Sequence, residues 1–210
     1  MYKEMLDYVR TYLECKDREC TKVGKTRFRK RSEHIERVYM WAQRLIEGEE
    51  NIDKESVLIS AIFHDVGYAE TTDDFSQHAE SGGIICEKYL SQHGFDSDFI
   101  KKVVYLIQNH SKKGLMQIPE TSRELILLME AELMDESGAL SIVWDCMIEG
   151  ADESQSFMKT YNHVVNYSGK QLRKNPMATE KAKLMWENKQ RLINDFIEQL
   201  GFDLGVEAEA

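Results

Sequence analysis

Between Val57 and His78 the chain reads VLISAIFHDVGYAETTDDFSQH. The apolar residues Val57, Leu58, Ile59, Ala61, Ile62 and Phe63 lead straight into His64 and Asp65, and Gly67 stops the run. A helix this apolar is a core helix, so it carries an imidazole and a carboxylate inward with it. That burial is costly unless something there needs them. A metal ion is the simplest such partner. The alternative is a His-Asp pair that merely ends a helix, where the dipole favours a cation. The dipeptide alone does not choose between the two.

The placement of the other histidines bears on that choice. With prolines only at 119 and 176, and abundant Leu, Glu, Lys, Met and Ala, the chain favours helix almost throughout. No period-two strand, internal repeat or low-complexity segment is visible. A first helix over residues 2–19 carries Tyr2, Met5, Val9, Tyr12 and Leu13 at helical spacing. The basic stretch KTRFRKR, Lys25 to Arg31, reads as a solvated connector, with phosphate binding as the alternative. A second helix opens near Ser32, and its inward stripe is His34, Val38, Trp41, Leu45. Asp53 suits the N-cap of the helix that ends in His64 and Asp65.

Ser76 is expected to cap a helix from His78, with Ala79, Gly82 and Gly83 allowing close packing. His93 beside Gly94 reads as a helix C-terminus. The next stripe, Ile100, Val103, Ile107, His110, again closes on a histidine. TSRE, Thr121 to Glu124, has the form of a capping box. In the helix after it Leu125, Leu128, Glu132 and Asp135 share one side, with Glu130 well away. The rest reads as structural. ALSIVWDCMI (139–148) suits a buried helix; Phe157, Tyr161, Val164 and Val165 form a stripe with His163 offset from it. A last helix capped by Thr179 packs Ala182, Met185, Leu192, Phe196 and Leu200 inward, before an acidic tail. The expected fold class is all-α, a single-domain helical bundle. It is divided into an N-terminal helix and connector (1–31), a core (32–142) and C-terminal helices (143–210) that complete the same domain.

A formal net charge of -10 argues against a partner that is polymeric nucleic acid or an anionic membrane surface. It leaves room for a small anion, because a bound cation supplies local positive charge. No run reaches the roughly 18 apolar residues of a membrane span, and MYKEMLDYVR lacks the apolar segment of a signal peptide. Cys15, Cys20, Cys86 and Cys146 show no CxxC spacing, so reduced thiols and a cytoplasmic location are expected.

Several helices thus each bring a ligand-type residue to an inward stripe: His34, His64 with Asp65, His78, His110 and Glu132. Helical bundles build metal sites in this way, and imidazole with carboxylate suits zinc, iron, manganese, cobalt or nickel, with magnesium on the carboxylates. The ordered segments EHIERV, AIFHDVGY, HAESGG, IQNHS and LLMEAELMDESGAL resemble the HD-domain superfamily of metal-dependent phosphohydrolases, over roughly Ser32 to Ile142. YNHVV and MATEKAK are similar to segments of bacterial stand-alone members.

The resemblance implies an all-α fold and hydrolysis of a phosphate ester or anhydride of a nucleotide or other small phosphorylated compound. It implies one or two divalent metal ions as cofactor and His64 and Asp65 as catalytic residues. His34, His64, Asp65 and Glu132 would hold a first ion, and His78 and His110 a second, with Asp65 as the bridge. The family's usual aspartate is replaced here by Glu132, one methylene longer, so a catalytically weak regulatory metal- or nucleotide-binding domain stands as the alternative function. Asp135 is a candidate for orienting a histidine, or for closing its helix or pairing with a lysine. Arg37, Lys112 and Lys113 are candidates for substrate phosphate, each with a solvated surface role as the alternative.

Overall fold

The computed structural model describes residues 1–19, 30–71 and 75–206. Most of the basic connector, Lys25 to Arg29, and the last residues of the acidic tail lie outside them. The described chain is all-α, with no strand. Two compact units are distinguished, Met1–Glu132 and Leu133–Ala210.

In the first unit the helices are α1 (Tyr2–Glu19), α2 (Arg31–Ile46), α3 (Lys54–Phe63), α4 (His78–Gln92) and α5 (Ser97–Asn109), followed by α6 (Arg123–Met134), which starts there. α3 is the core helix that its composition predicts, with every residue from Ser56 to Phe63 buried. Full burial of a Val, Ile or Phe side chain stabilises by about 1.5–3 kcal/mol, so this short helix is held by its surroundings on all sides. Its two serines keep their hydroxyls bonded: Ser56 donates to Asp53 O at 2.8 Å and Ser60 to Val103 O at 3.4 Å. α2, α5 and α1 pack around it, and α4 packs on α5. Phe63 sits against Tyr8 and Tyr89 in the same cluster as Met5, Val9, Ile35 and Ile107.

Asp53 caps α3 by accepting from Ser56 N. The other caps differ from expectation. α4 is preceded by a 3₁₀ turn, Phe75–Gln77, and Gln77, not Ser76, is its capping residue, without a side-chain bond. At α6, Ser122 Oγ accepts from Leu125 N, so the cap lies one residue after Thr121, whose hydroxyl donates to Leu115 O. Glu124 does not close a capping box; it accepts from Asp53 N and Lys102, tying α3, α5 and α6 together. Glu130, expected to point away from the buried face, is fully buried.

The second unit holds α7 (Ala139–Gly150), α8 (Phe157–Val164), a π turn (Val165–Gly169), a single helical turn α9 (Lys170–Leu172) and α10 (Glu180–Asp203). Thr179 caps α10 as expected. Its inward stripe is shifted by one residue from the expected one, to Ala182, Trp186 and Ile193, while Leu192 is exposed. Trp186 decides that rotation, because its Nε1–H donates to Lys174 O at 3.0 Å. α7 is not a buried helix. Only Ser141, Ile142 and Asp145 are buried, and Leu140, Val143, Met147 and Ile148 face outward. Phe157, expected inward on α8, is 79% exposed.

Candidate metal centre

Five histidines stand at helix ends in the first unit; His93 ends α4 and bonds to Tyr89 O, and the other four gather around Asp65. His34 lies in the first turn of α2 and His78 opens α4; His64 and His110 directly follow the last residues of α3 and α5. His64 keeps helical backbone angles while Asp65 leaves them, with φ -110° and ψ 5°. Asp65 therefore starts a 3₁₀ turn, Val66–Glu70, which runs onto α4. That approach needs glycine. A Cβ on Gly67 would lie 2.0 Å from His78 O and 2.4 Å from Gly82 N, and one on Gly82 would lie 3.2 Å from His64 O. Two bare backbones thus bring His64-Asp65 and His78 together.

The four imidazoles converge on Asp65. Its Oδ2 is 3.4 Å from His34 Nε2 and 3.5 Å from His64 Nε2; its Oδ1 is 3.4 Å from His110 Nε2 and 3.6 Å from His78 Nε2. Within each pair the Nε2 atoms are 3.3 Å apart, His34 with His64 and His78 with His110. His34, His64, Asp65 and His110 are buried, and His78 nearly so. These side chains form the groups His34–His64–Asp65 and Asp65–His78–His110, whose ligand atoms lie close enough to share an ion.

The outer nitrogens decide what the inner ones can do. Nδ1 of His64 donates to Ala61 O at 2.9 Å, Nδ1 of His78 to Phe75 O at 2.6 Å, and Nδ1 of His110 to Ile107 O at 2.5 Å. A proton fixed on Nδ1 leaves a neutral ring with a lone pair on Nε2. Between His78 and His110, a hydrogen bond from one Nε2 to the other then requires a second proton on one ring. On His64 burial opposes a second proton, pushing the ring down to about 4 against the pull of Asp65, with His110 and His34 adding to the fall. Burial pushes Asp65 up, but His64, His110, His34 and Arg31 outweigh it and hold the carboxyl well below its ordinary value. A neutral His64 beside an ionised Asp65 is the pair of protonation states in which these residues bind a divalent cation. The donor set fits one.

Glu132, the third carboxylate candidate, groups with His64 and His110 rather than with His34 and Asp65. It pairs with Lys113, whose Nζ also donates to His110 O at 2.8 Å. Its carboxyl is lowered: burial raises it, but Lys113, His110 and His64 outweigh that. Of the three cations expected at substrate, Lys113 stands beside the cluster. Lys112 is exposed and donates to Asn109 Oδ1, and Arg37 lines a surface groove between α1 and α2 with Lys3, Asp7 and Arg10. Asp135 is buried and belongs to the second unit. His163 also lies in that unit, against Asp145 and Glu149.

Two contacts were not anticipated. Arg31 Nη1 donates to Asp65 Oδ2 at 2.7 Å, and its guanidinium lies 4.0 Å above the Tyr68 ring. Tyr68 stacks in turn on His78, with centroids 4.4 Å apart and planes 22° from parallel. Arg31 ends the basic run that reads as a solvated connector, with phosphate binding as the alternative. The available signal was its place three residues before His34, on the same end of α2.

The sequence profile of the HD domain matches residues 31–137, half of the chain, and that span holds every residue of the cluster. The chain belongs to the HD domain family. A stretch of 72 residues of this HD protein is 32% identical to the bifunctional uridylyltransferase/uridylyl-removing enzyme of Vibrio atlanticus. That match covers 34% of the chain and only 7% of the enzyme. The fold is that of solved HD-superfamily hydrolases. One from Bacillus thuringiensis aligns with a TM-score of 0.67 at 21% identity, over 99% of this chain and 100% of its own. One from an uncultured Thermotogales bacterium gives 0.64 at 21% identity, over 96% and 92%. YpgQ of Bacillus subtilis, solved in complex with ADP, gives 0.63 at 20% identity, over 96% of each chain. Among the described residues no helix is long and apolar enough to cross a membrane.

Proposed function

We propose that the protein is a metal-dependent phosphohydrolase acting on a phosphate ester or anhydride of a nucleotide or other small phosphorylated compound. One observation carries the reading: a single buried carboxylate offers each of its oxygens to a separate pair of imidazoles. His34, His64 and Asp65 would hold one divalent ion and Asp65, His78 and His110 a second, with Glu132 within reach of His64 and His110. Such ions, when bound, lower the pKa of water towards about 7 and offset the charge of phosphate oxygens.

The chain's own contribution is positional. The backbone carbonyls of Ala61, Phe75 and Ile107 fix the tautomers and orient the rings, as is usual for histidine ligands. Burial of His64 and Asp65 keeps bulk water from competing for them. Lys113 places a cation beside Glu132, where a substrate phosphate could meet it. The small-molecule reading of the substrate is supported by the HD-fold relative solved with ADP.

The test is elemental analysis of protein purified without chelator, joined to an assay of nucleotides and generic phosphoesters with manganese, iron, cobalt or magnesium. One or two metals per chain and metal-dependent phosphate release are expected. Bound metal without turnover on any substrate would favour the regulatory reading, in which Glu132 and its lysine partner hold the site in a weak form.

A further inference from the structure

We propose that Asp53, Lys102 and Glu124 are positioning residues for the candidate metal centre, a clip that sets how far α3, α5 and α6 reach into it. The inference rests on the metal-dependent reading and names the side chains that keep this site's ligands in register. His64 directly follows α3, His110 directly follows α5, and Glu132 lies in the last turn of α6. Their ligand atoms form one group. All three helices therefore run toward the cluster, and they are tied together about two to three turns earlier. Lys102 Nζ, on α5, donates to Asp53 Oδ2 at 3.2 Å and to Glu124 Oε1 at 3.0 Å. Asp53, the N-cap of α3, donates its own N–H to the same glutamate oxygen at 3.1 Å. At a rise of about 1.5 Å per residue, Lys102 and Glu124 each stand about 12 Å before the ligand on their helix. Asp53 stands about 16 Å before His64.

These bonds suit register more than bulk stability. Lys102 is 38% exposed and Asp53 31%, and ion pairs open to water contribute little to folding. Apolar burial around α3 is non-directional, so it does not by itself choose an axial setting. Hydrogen bonds do, because they weaken steeply once bent or stretched. Lysine suits the junction, since one ammonium carries three donors and can serve carboxylates on two sides. Burial raises the Glu124 carboxyl, yet Lys102 and the Asp53 N–H outweigh that and hold it below its ordinary value. Glu124 is therefore ionised at neutral pH. A second tie fixes the start of α6: Arg123 donates through Nε and Nη2 to the two oxygens of Glu49, at 2.9 and 2.7 Å. Glu49 lies in the connection from α2 to α3, so α6 is held to that connection at two successive residues. Without Lys102, two carboxylates are left around the vacated ammonium position, and their repulsion would push the starts of α3 and α6 apart. A helix transmits such a displacement along its length, so it reaches the ligands.

The experiment is titration of cobalt(II) into the full-length chelator-treated protein, read by affinity and by the visible absorption bands of the bound ion. Those bands report the arrangement of the ligands, which a merely stabilising ion pair would not move. Lys102→Met, Lys102→Arg and Lys101→Met are compared with the wild type at a temperature where melting curves show each fully folded. Lys101 is the control, because its partner Asp98 lies on the same helix. Lys102→Met should shift the bands and weaken cobalt by about ten-fold, the low end for residues that support ligands. Lys102→Arg, which keeps a cation between the carboxylates, should restore most of both, and Lys101→Met should match the wild type. Bands and affinity unchanged in Lys102→Met, whatever its melting temperature, overturn the inference alone. An equal change in Lys101→Met also overturns it, since the effect would then be one of net charge. So does a change in Lys102→Arg as large as that in Lys102→Met. A wild type that binds no cobalt overturns the metal-dependent reading and this inference with it. Lys102→Gln carries the same test if Lys102→Met does not fold.

Discussion

In the first unit four imidazoles share one carboxylate; in the second, one imidazole is shared by two. His163 Nδ1 is 2.6 Å from Glu149 Oε1 and its Nε2 is 3.4 Å from Asp145 Oδ1, while Ser168 donates to the other Asp145 oxygen. Both ring nitrogens thus point at acceptors, and the protons of the ring itself can fill the gaps. Around Asp65 the arrangement is inverted. There three of the four rings spend a proton outward on a backbone carbonyl, and the lone pairs of His78 and His110 are turned toward one another. The same residue types give a closed network in one region and an open one in the other. The number of histidines matters less than the direction in which their protons are spent.

The largest expected difference between the two regions is in metal content. Asp65→Ala removes the oxygen atoms common to both ligand groups and should lower metal affinity by more than the roughly 10- to 100-fold typical of residues that only support ligands. Phosphate release should be lost with the metal. His163→Gln should leave metal content as in the wild type. Elemental analysis and an activity assay of both variants check this. Metal retained in Asp65→Ala, or lost in His163→Gln, would erase the distinction.

A second prediction sharpens the open region internally. Gly67→Ala puts a methyl where His78 O lies 2.0 Å away, so the 3₁₀ turn and the start of α4 must separate. Overpacking of this kind costs typically about 1–3 kcal/mol. The Asp65–His78–His110 group should suffer more than His34–His64–Asp65, whose contacts do not cross that seam. A lowered melting temperature with metal content falling toward one ion per chain is expected; an unchanged melt would show that the turn has slack.

Much of this was legible in advance, for identifiable reasons. His34, His64 and His110 sit in register with apolar stripes, and a periodic stripe reports burial whatever the neighbours are. Arg31 and Tyr68 could not be read so, because their stacking brings together residues on different elements and has no local period. The shifted face of α10 follows from the bond of Trp186 to Lys174 O, which a count of apolar positions does not see. At Thr121–Glu124 the pattern was right and the partner wrong: Lys102 and the Asp53 N–H took the glutamate that would have closed the box. The outward face of α7 carries as many apolar residues as an inward one, and spacing alone does not say which side is covered.

The two regions should also respond to acid with opposite sign. Burial pushes His64 from 6.5 down to about 4 in the metal-free chain. The unfolded chain takes up that proton near 6.5, so the stability His64 contributes is present above 6.5 and is lost as pH falls through about 4. Asp145 is raised, by burial first, against the opposing hydrogen bond from Ser168 and the charge of His163. Its contribution is present below the ordinary carboxylate value and is lost as pH rises through the raised one. Urea unfolding of chelator-treated protein between pH 7 and 4 should therefore show stability falling with acid in the wild type, and a flatter profile for His64→Gln. Identical slopes would mean that His64 is not the group being protonated.

Glu132 combines features of both networks, and it should give the smallest effect. Its carboxylate lies within ligand reach of His64 and His110, as in the open region, yet it is already paired with Lys113, as in the closed one. A carboxylate with a lysine partner must give up part of that pairing to bind an ion, so its net contribution is smaller than that of Asp65. Glu132→Gln should lower manganese affinity by about ten-fold, comparable to a supporting residue. Glu132→Asp, which draws the carboxylate back by about one bond length and away from Lys113, should bind at least as well as the wild type if the lysine is what restrains it. Titration of manganese into both variants measures this. A loss in Glu132→Gln as large as in Asp65→Ala would put Glu132 wholly on the open side. No loss at all would make it a surface ion pair that happens to border the cluster.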